Sequence, residues 1–119
     1  MSTALHAASV PTPAGYRDLP PGVASGHLGE FRLIDVREPD EYVGPLGHID
    51  GADLVPLATV PDASAGWDKG ARLLLICRSG GRSGRAAAFL ASTGFTDVYN
   101  LAGGMLEWNA QGLPVVARG

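Results

Sequence analysis

Apolar positions along this chain fall into short dense runs separated by glycine and proline, and the runs alternate in kind. Phe31-Arg32-Leu33-Ile34-Asp35-Val36 is rich in branched apolar residues and bounded by Gly29 and Pro39, which predicts a buried strand ending near Asp35. Pro39-Asp40-Glu41-Tyr42 offers a proline to the first turn of a short helix, which Gly44-Pro45 stops. A loop through Gly47-His48-Ile49 follows. Leu54-Val55 predicts a further short strand, and residues 56–70, with their prolines and glycines, predict a connection holding a brief helix. Arg72-Leu73-Leu74-Leu75-Ile76-Cys77 is too short and too sharply ended by glycine to be a helix. It reads as a strand buried on both faces, as in parallel sheets.

Ser83 to Thr93 is alanine-rich, with Ala87, Leu90 and Ala91 at helical spacing and Gly94 as the stop, and this is the best-defined helix in the sequence. Asp97-Val98-Tyr99-Asn100-Leu101 predicts another strand. Gly103-Gly104 then leads into a helix expected to bury Met105, Leu106 and Trp108 before Gly112 and Pro114. Alternating strand and helix signals imply an α/β domain with a mostly parallel sheet, right-handed crossovers and ligands beyond the carboxyl ends of the strands. Residues 1–29 carry few large apolar groups. Residues 1–13 are therefore expected as a flexible tail, with one domain over residues 14–119.

Composition narrows the function classes. A chain of 119 residues with 45% hydrophobic and 18% charged content suits one globular core. Nine Lys plus Arg against twelve Asp plus Glu give no basic field for nucleic acid. No long apolar run or charged-then-apolar leader is present, so cytoplasmic residence and no membrane partner are the expectations. Cys77 is the only cysteine, so any disulfide or persulfide exchange involves an outside molecule.

The chemistry concentrates in Cys77-Arg78-Ser79-Gly80-Gly81-Arg82-Ser83-Gly84-Arg85, between a buried strand and the start of a helix. Ser79, Gly80 and Gly81 let the backbone curl so that successive N–H groups converge on one anion, with the sulfur at the centre. The first turn of the following helix adds positive potential. Thiolates in such settings have pKa values of roughly 3.5 to 7.5, so Cys77 is expected to be substantially ionised at neutral pH. Arg78 and Arg82 on either side of the curl would orient an anionic donor, while Arg85 is the one expected to pack outside.

Cys77-Arg78-Ser79-Gly80-Gly81-Arg82-Ser83 resembles the active-site loop of rhodanese domains. Leu33-Ile34-Asp35-Val36-Arg37-Glu38, Glu41-Tyr42 and Gly47-His48-Ile49-Asp50-Gly51-Ala52 resemble that family's N-terminal signature, and Leu101-Ala102-Gly103-Gly104 with Trp108 its C-terminal one. Gly44-Pro45-Leu46 departs from the usual spacing like an insertion. The resemblance implies a rhodanese-like three-layer domain, a mostly parallel central sheet flanked by helices on both faces. It also implies a ping-pong sulfurtransferase: Cys77 takes the outer sulfur of a donor as a persulfide, and an acceptor then removes it. Backbone amides from Arg78 through Ser83 would hold the terminal sulfur. No metal or organic cofactor is implied. Thiosulfate is the favoured donor and a thiol or cyanide the acceptor, by analogy with the charged residue at Arg78.

Two other readings stay open. A persulfide carrier or docking module would pass sulfur to one protein acceptor with little small-molecule turnover. A cysteine-dependent phosphatase or arsenate reductase would cradle an oxyanion in a related loop. Related phosphatases have five residues between cysteine and arginine, whereas four separate Cys77 from Arg82, a tighter cradle. Elsewhere, Asp35 and Arg37 are read as an ion pair fixing the following loop, and His48 as structural. Trp108 and Tyr99 read as core or interface aromatics, and His6 and His27 as outside any site.

Overall fold

A computed structural model describes residues 3–116. In chain order the elements are α1 (Thr3–Ala8), β1 (Val10–Pro11), β2 (Arg17–Leu19), α2 (Pro21–Ser25), β3 (Arg32–Asp35), α3 (Pro39–Tyr42), β4 (Asp53–Leu54), α4 (Val60–Ser64), β5 (Leu73–Ile76), α5 (Gly81–Ser92), β6 (Val98–Leu101) and α6 (Gly104–Ala110). Six strands form one sheet in the order β1-β2-β6-β5-β3-β4. Within this sheet, among the described residues, only the β1–β2 pair is antiparallel. The expected α/β architecture is therefore present, with β5 central and all four of its residues buried.

Strand periodicity divides the core in two. Leu73, Leu75 and Cys77 face one side of the sheet with Ile34, Val36, Val60, Ala86, Ala87, Leu90, Phe95 and Val98, so α4 and α5 cover that face. Leu74 and Ile76 face the other side with Leu5, Leu19, Ala24, Leu33, Tyr99, Leu101, Met105 and Trp108, so α1, α2 and α6 cover it. Trp108 Nε1 donates to the Pro114 carbonyl at 2.9 Å, which satisfies the indole N–H inside the core.

Two segments differ from expectation. Residues 1 and 2 lie outside the described residues, and residues 3–11 take secondary structure where a flexible tail is expected. Thr3–Ala8 is helical, Val10–Pro11 pairs with β2, and Leu5 is fully buried. A single leucine in an alanine-rich stretch is enough to dock it, and Arg17 fastens it by bonding Ser9 Oγ at 2.6 Å and the His6 carbonyl at 3.0 Å. Leu106 is the second case. Met105 and Trp108, three apart, share the inward face of the two-turn α6, which turns Leu106 outward to 39% exposure.

Candidate active site

The Cys77 loop begins where β5 ends and closes at the N-terminus of α5. Gly80 stands at φ +102°, a left-handed conformation that turns the chain into the helix without the strain a side chain would bring. Its N–H then points back and donates to Cys77 Sγ at 3.0 Å. From behind, α6 braces the loop, as Met105 N–H donates to the Cys77 carbonyl at 2.8 Å and Leu106 N–H to the Arg78 carbonyl at 2.9 Å. This close approach requires glycine at Gly104. A Cβ there would lie 2.5 Å from both carbonyl oxygens, and its φ is +59°.

Cys77 is only 1% exposed, at the floor of the curl. Burial pushes its thiol up. Hydrogen bonds from the Ser83 hydroxyl and from the N–H groups of Ser83, Gly80 and Ser79 outweigh that cost, so the thiol lies below its ordinary pKa. Beside the backbone N–H groups expected of the curl, the Ser83 side chain also takes part. Ser83 Oγ sits 3.2 Å from Cys77 Sγ and 2.5 Å from Asn100 Oδ1, with one proton to share. In the thiol form, sulfur donates to Ser83 and Ser83 to Asn100. An ionised sulfur competes for the Ser83 proton instead.

Asn100 was not among the expected site residues. Its Nδ2 faces two acceptors, Asp18 Oδ1 at 3.0 Å and the Gly80 carbonyl at 3.3 Å, which turns Oδ1 toward Ser83. Strand alternation places Asn100 on the α5 face of β6, the only sequence signal that could have marked it. The Asp18 contact spans 82 residues, from a strand with almost no apolar pattern.

The arginines separate into different roles. Arg82 forms a bidentate pair with Glu41, Nη1 to Oε1 at 2.7 Å and Nη2 to Oε2 at 2.8 Å. Glu41 Oε1 also accepts the Glu38 N–H at 3.0 Å in a capping box at the start of α3. The Arg82 hydrogen bonds hold the Glu41 carboxyl down at about 2 despite its partial burial. Arg82 is thus less available to an incoming anion than the sequence suggested. Arg78 is exposed, with no hydrogen bond or ion pair to its guanidinium among the described residues. Arg85 is exposed on α5.

The expected Asp35–Arg37 pair is present and buried. Arg37 Nη2 meets Asp35 Oδ2 at 2.8 Å and also donates to the Gly47 carbonyl at 2.8 Å, which fixes the loop that follows α3. His48 stacks on Tyr42 with ring centroids 3.6 Å apart, and its Nδ1 lies 2.8 Å from the Tyr42 carbonyl. Both contacts are structural.

Residues 22–111 match the Rhodanese-like domain family. The chain is 41% identical over 80 residues to the uncharacterized protein YqhL of Bacillus subtilis, covering 67% of this chain and 62% of that protein. The alignment therefore spans less than two thirds of that relative's length. It is 38% identical over 79 residues to the thiosulfate sulfurtransferase GlpE of Pseudomonas paraeruginosa, covering 66% of this chain and 70% of GlpE. A crystal structure of a rhodanese-related protein from Thermoplasma volcanium superposes with a TM-score of 0.79 at 26% identity, covering 86% of this chain and 99% of that one.

Proposed function

The chain belongs to the rhodanese-like domain family, and from that membership we propose that it is a sulfurtransferase in which Cys77 carries sulfur as a persulfide. The observation that carries the reading is the sulfur's position. Cys77 Sγ lies at the end of β5, inside a curl whose Gly80 N–H and Ser83 hydroxyl both reach it. Donors placed there stabilise negative charge on sulfur, which the free thiolate and the persulfide both need.

With thiosulfate as donor, the Cys77 thiolate attacks the outer sulfur. A new S–S bond forms, the bond to the sulfonate sulfur breaks, and its electron pair leaves with sulfite. The amides from Arg78 through Ser83 hold the terminal sulfur, and the free Arg78 cation compensates the departing sulfite. An acceptor nucleophile, a thiol or cyanide, then takes the outer sulfur and returns Cys77 to the thiolate. A relative named thiosulfate sulfurtransferase supports this donor, as does the exposed Arg78 guanidinium, which has no ion-pair partner among the described residues. Cytoplasm, with its reduced thiols, is the proposed setting.

Steady-state thiosulfate:cyanide sulfur transfer by wild type and Cys77→Ser tests the proposal. Turnover by wild type and none by the variant is the expected result. Equal rates would remove Cys77 from the reaction.

A further inference from the structure

Behind the Cys77 loop, four side chains form a line that ends on the N-terminal segment. Ser83 Oγ lies 3.2 Å from Cys77 Sγ and 2.5 Å from Asn100 Oδ1, and Asn100 Nδ2 donates to Asp18 Oδ1 at 3.0 Å. Ser83 and Asn100 are 0% and 4% exposed, so neither can trade these partners for water. Asp18 stands directly opposite Asn100 in the parallel pairing of β2 with β6, which puts both side chains on the face that carries Cys77. It precedes residue 22, where the family match begins.

The Asp18 end of this line decides what happens at the sulfur end. A carboxylate only accepts, so Asp18 requires an N–H from Asn100, and the Gly80 carbonyl, 3.3 Å from the same Nδ2, requires it too. Turned over, the Asn100 amide would set its oxygen against both acceptors. Asn100 Oδ1 is therefore held toward Ser83, where it takes the hydroxyl proton. Ser83 has only that one proton. Giving it to a Cys77 thiolate breaks the bond to Asn100, whereas accepting from a Cys77 thiol keeps every bond in the line.

We infer that Asp18 is a positioning residue that restrains Cys77: by fixing the Asn100 amide it directs the Ser83 proton away from the sulfur and so favours the protonated cysteine. The other donors of the curl still hold the thiol below its ordinary pKa, and Asp18 limits how far. The consequence for sulfur uptake rests on the Cys77 persulfide proposed above, whereas the proton arrangement does not. In Asp18→Asn the new amide can donate to Asn100 Oδ1, so the Asn100 amide can turn over, give its N–H to Ser83 Oγ and release the Ser83 proton to the sulfur. Other titratable groups packed around the line are common to wild type and variants. Burial, and then the Asp18 charge, push the Tyr16 phenol up. Arg82 is paired with Glu41 and Arg37 with Asp35, and Glu107 of α6 lies against Gly103.

The test is a thiolate absorbance titration of the full chain, free of any sulfur donor. Asp18→Asn is expected to move the Cys77 titration to lower pH by about one unit, the worth of one hydrogen bond to a charged group. Asn100→Ala deletes the competing oxygen outright, while the Gly84 N–H still fills the Gly80 carbonyl at 3.0 Å, and it is expected to move the titration the same way. Should Asp18→Asn fail to fold, this second variant decides. Loss of the Asp18 charge would by itself also lower the titration, so each variant is repeated in a Ser83→Ala background. There the downward shifts are expected to vanish. A shift that persists in full without the Ser83 hydroxyl overturns the inference, as does an unchanged or raised titration in the single variants. Sulfur uptake from thiosulfate, followed by intact mass, is expected to quicken in Asp18→Asn only below the wild-type titration midpoint. If wild type takes up no sulfur, the persulfide reading fails, and the titrations still decide the role of Asp18.

Discussion

Arg82 and Glu41, 41 residues apart, form a bidentate ion pair that ties the helix after the sulfur loop to the short helix α3. The pair holds the Glu41 carboxyl at about 2, below the ordinary carboxylate range. A depressed carboxylate contributes stability above its unfolded pKa and loses it as pH falls toward the folded value. Unfolding midpoints should therefore drop between about pH 5 and pH 2 by more in wild type than in Glu41→Gln. At neutral pH, Glu41→Gln should cost about 1–2 kcal/mol by denaturant unfolding, after allowance for solvent screening of this partly exposed pair. It should also free Arg82 and lower the thiosulfate KM by roughly threefold.

Ser83→Ala removes one donor from Cys77 Sγ and leaves burial in place, so the thiol pKa should rise. The thiolate absorbance titration should move to higher pH, as should the rising limb of the pH–rate profile. Sulfur uptake at neutral pH should slow by about tenfold, the size expected for one hydrogen bond to a charged group. An unchanged titration would remove the Ser83 hydroxyl from the site's electrostatics.

Gly104→Ala should damage the site without touching it chemically. Its methyl group would collide with the Cys77 and Arg78 carbonyls, and the residue would be strained at φ +59°. A loss of about 2–4 kcal/mol is expected in denaturant unfolding, because α6 must move off the loop it braces. Sulfur transfer should fall in step with that displacement.

Asp35→Ala leaves the Arg37 guanidinium buried without its carboxylate. Breaking one side of such a pair costs about 3–5 kcal/mol, so this variant should unfold at much lower denaturant than wild type. Asp35→Ala together with Arg37→Met, which removes the stranded charge, should recover part of the loss.

The segments that decided the fold were legible where apolar density and punctuation agreed. Leu73–Ile76 is apolar at every position and buried on both faces, and the α5 sequence repeats its small residues at helical spacing. Strand β2 was not visible, because Arg17-Asp18-Leu19 buries only its leucine fully and depends on parallel pairing with β6 for its place. The site divides in the same way. Cys77, Gly80 and Ser83 are local in sequence, and their roles follow from a strand–curl–helix passage. Asn100, Asp18 and Glu41 reach the loop through contacts distant in sequence, and no single-segment pattern encodes them.

The most direct measurement is intact mass of the protein after thiosulfate, and again after addition of cyanide, for wild type and Cys77→Ser. The account predicts one added sulfur on wild type that cyanide removes, and no addition to Cys77→Ser. No added sulfur on wild type from thiosulfate, mercaptopyruvate or an organic persulfide would contradict it.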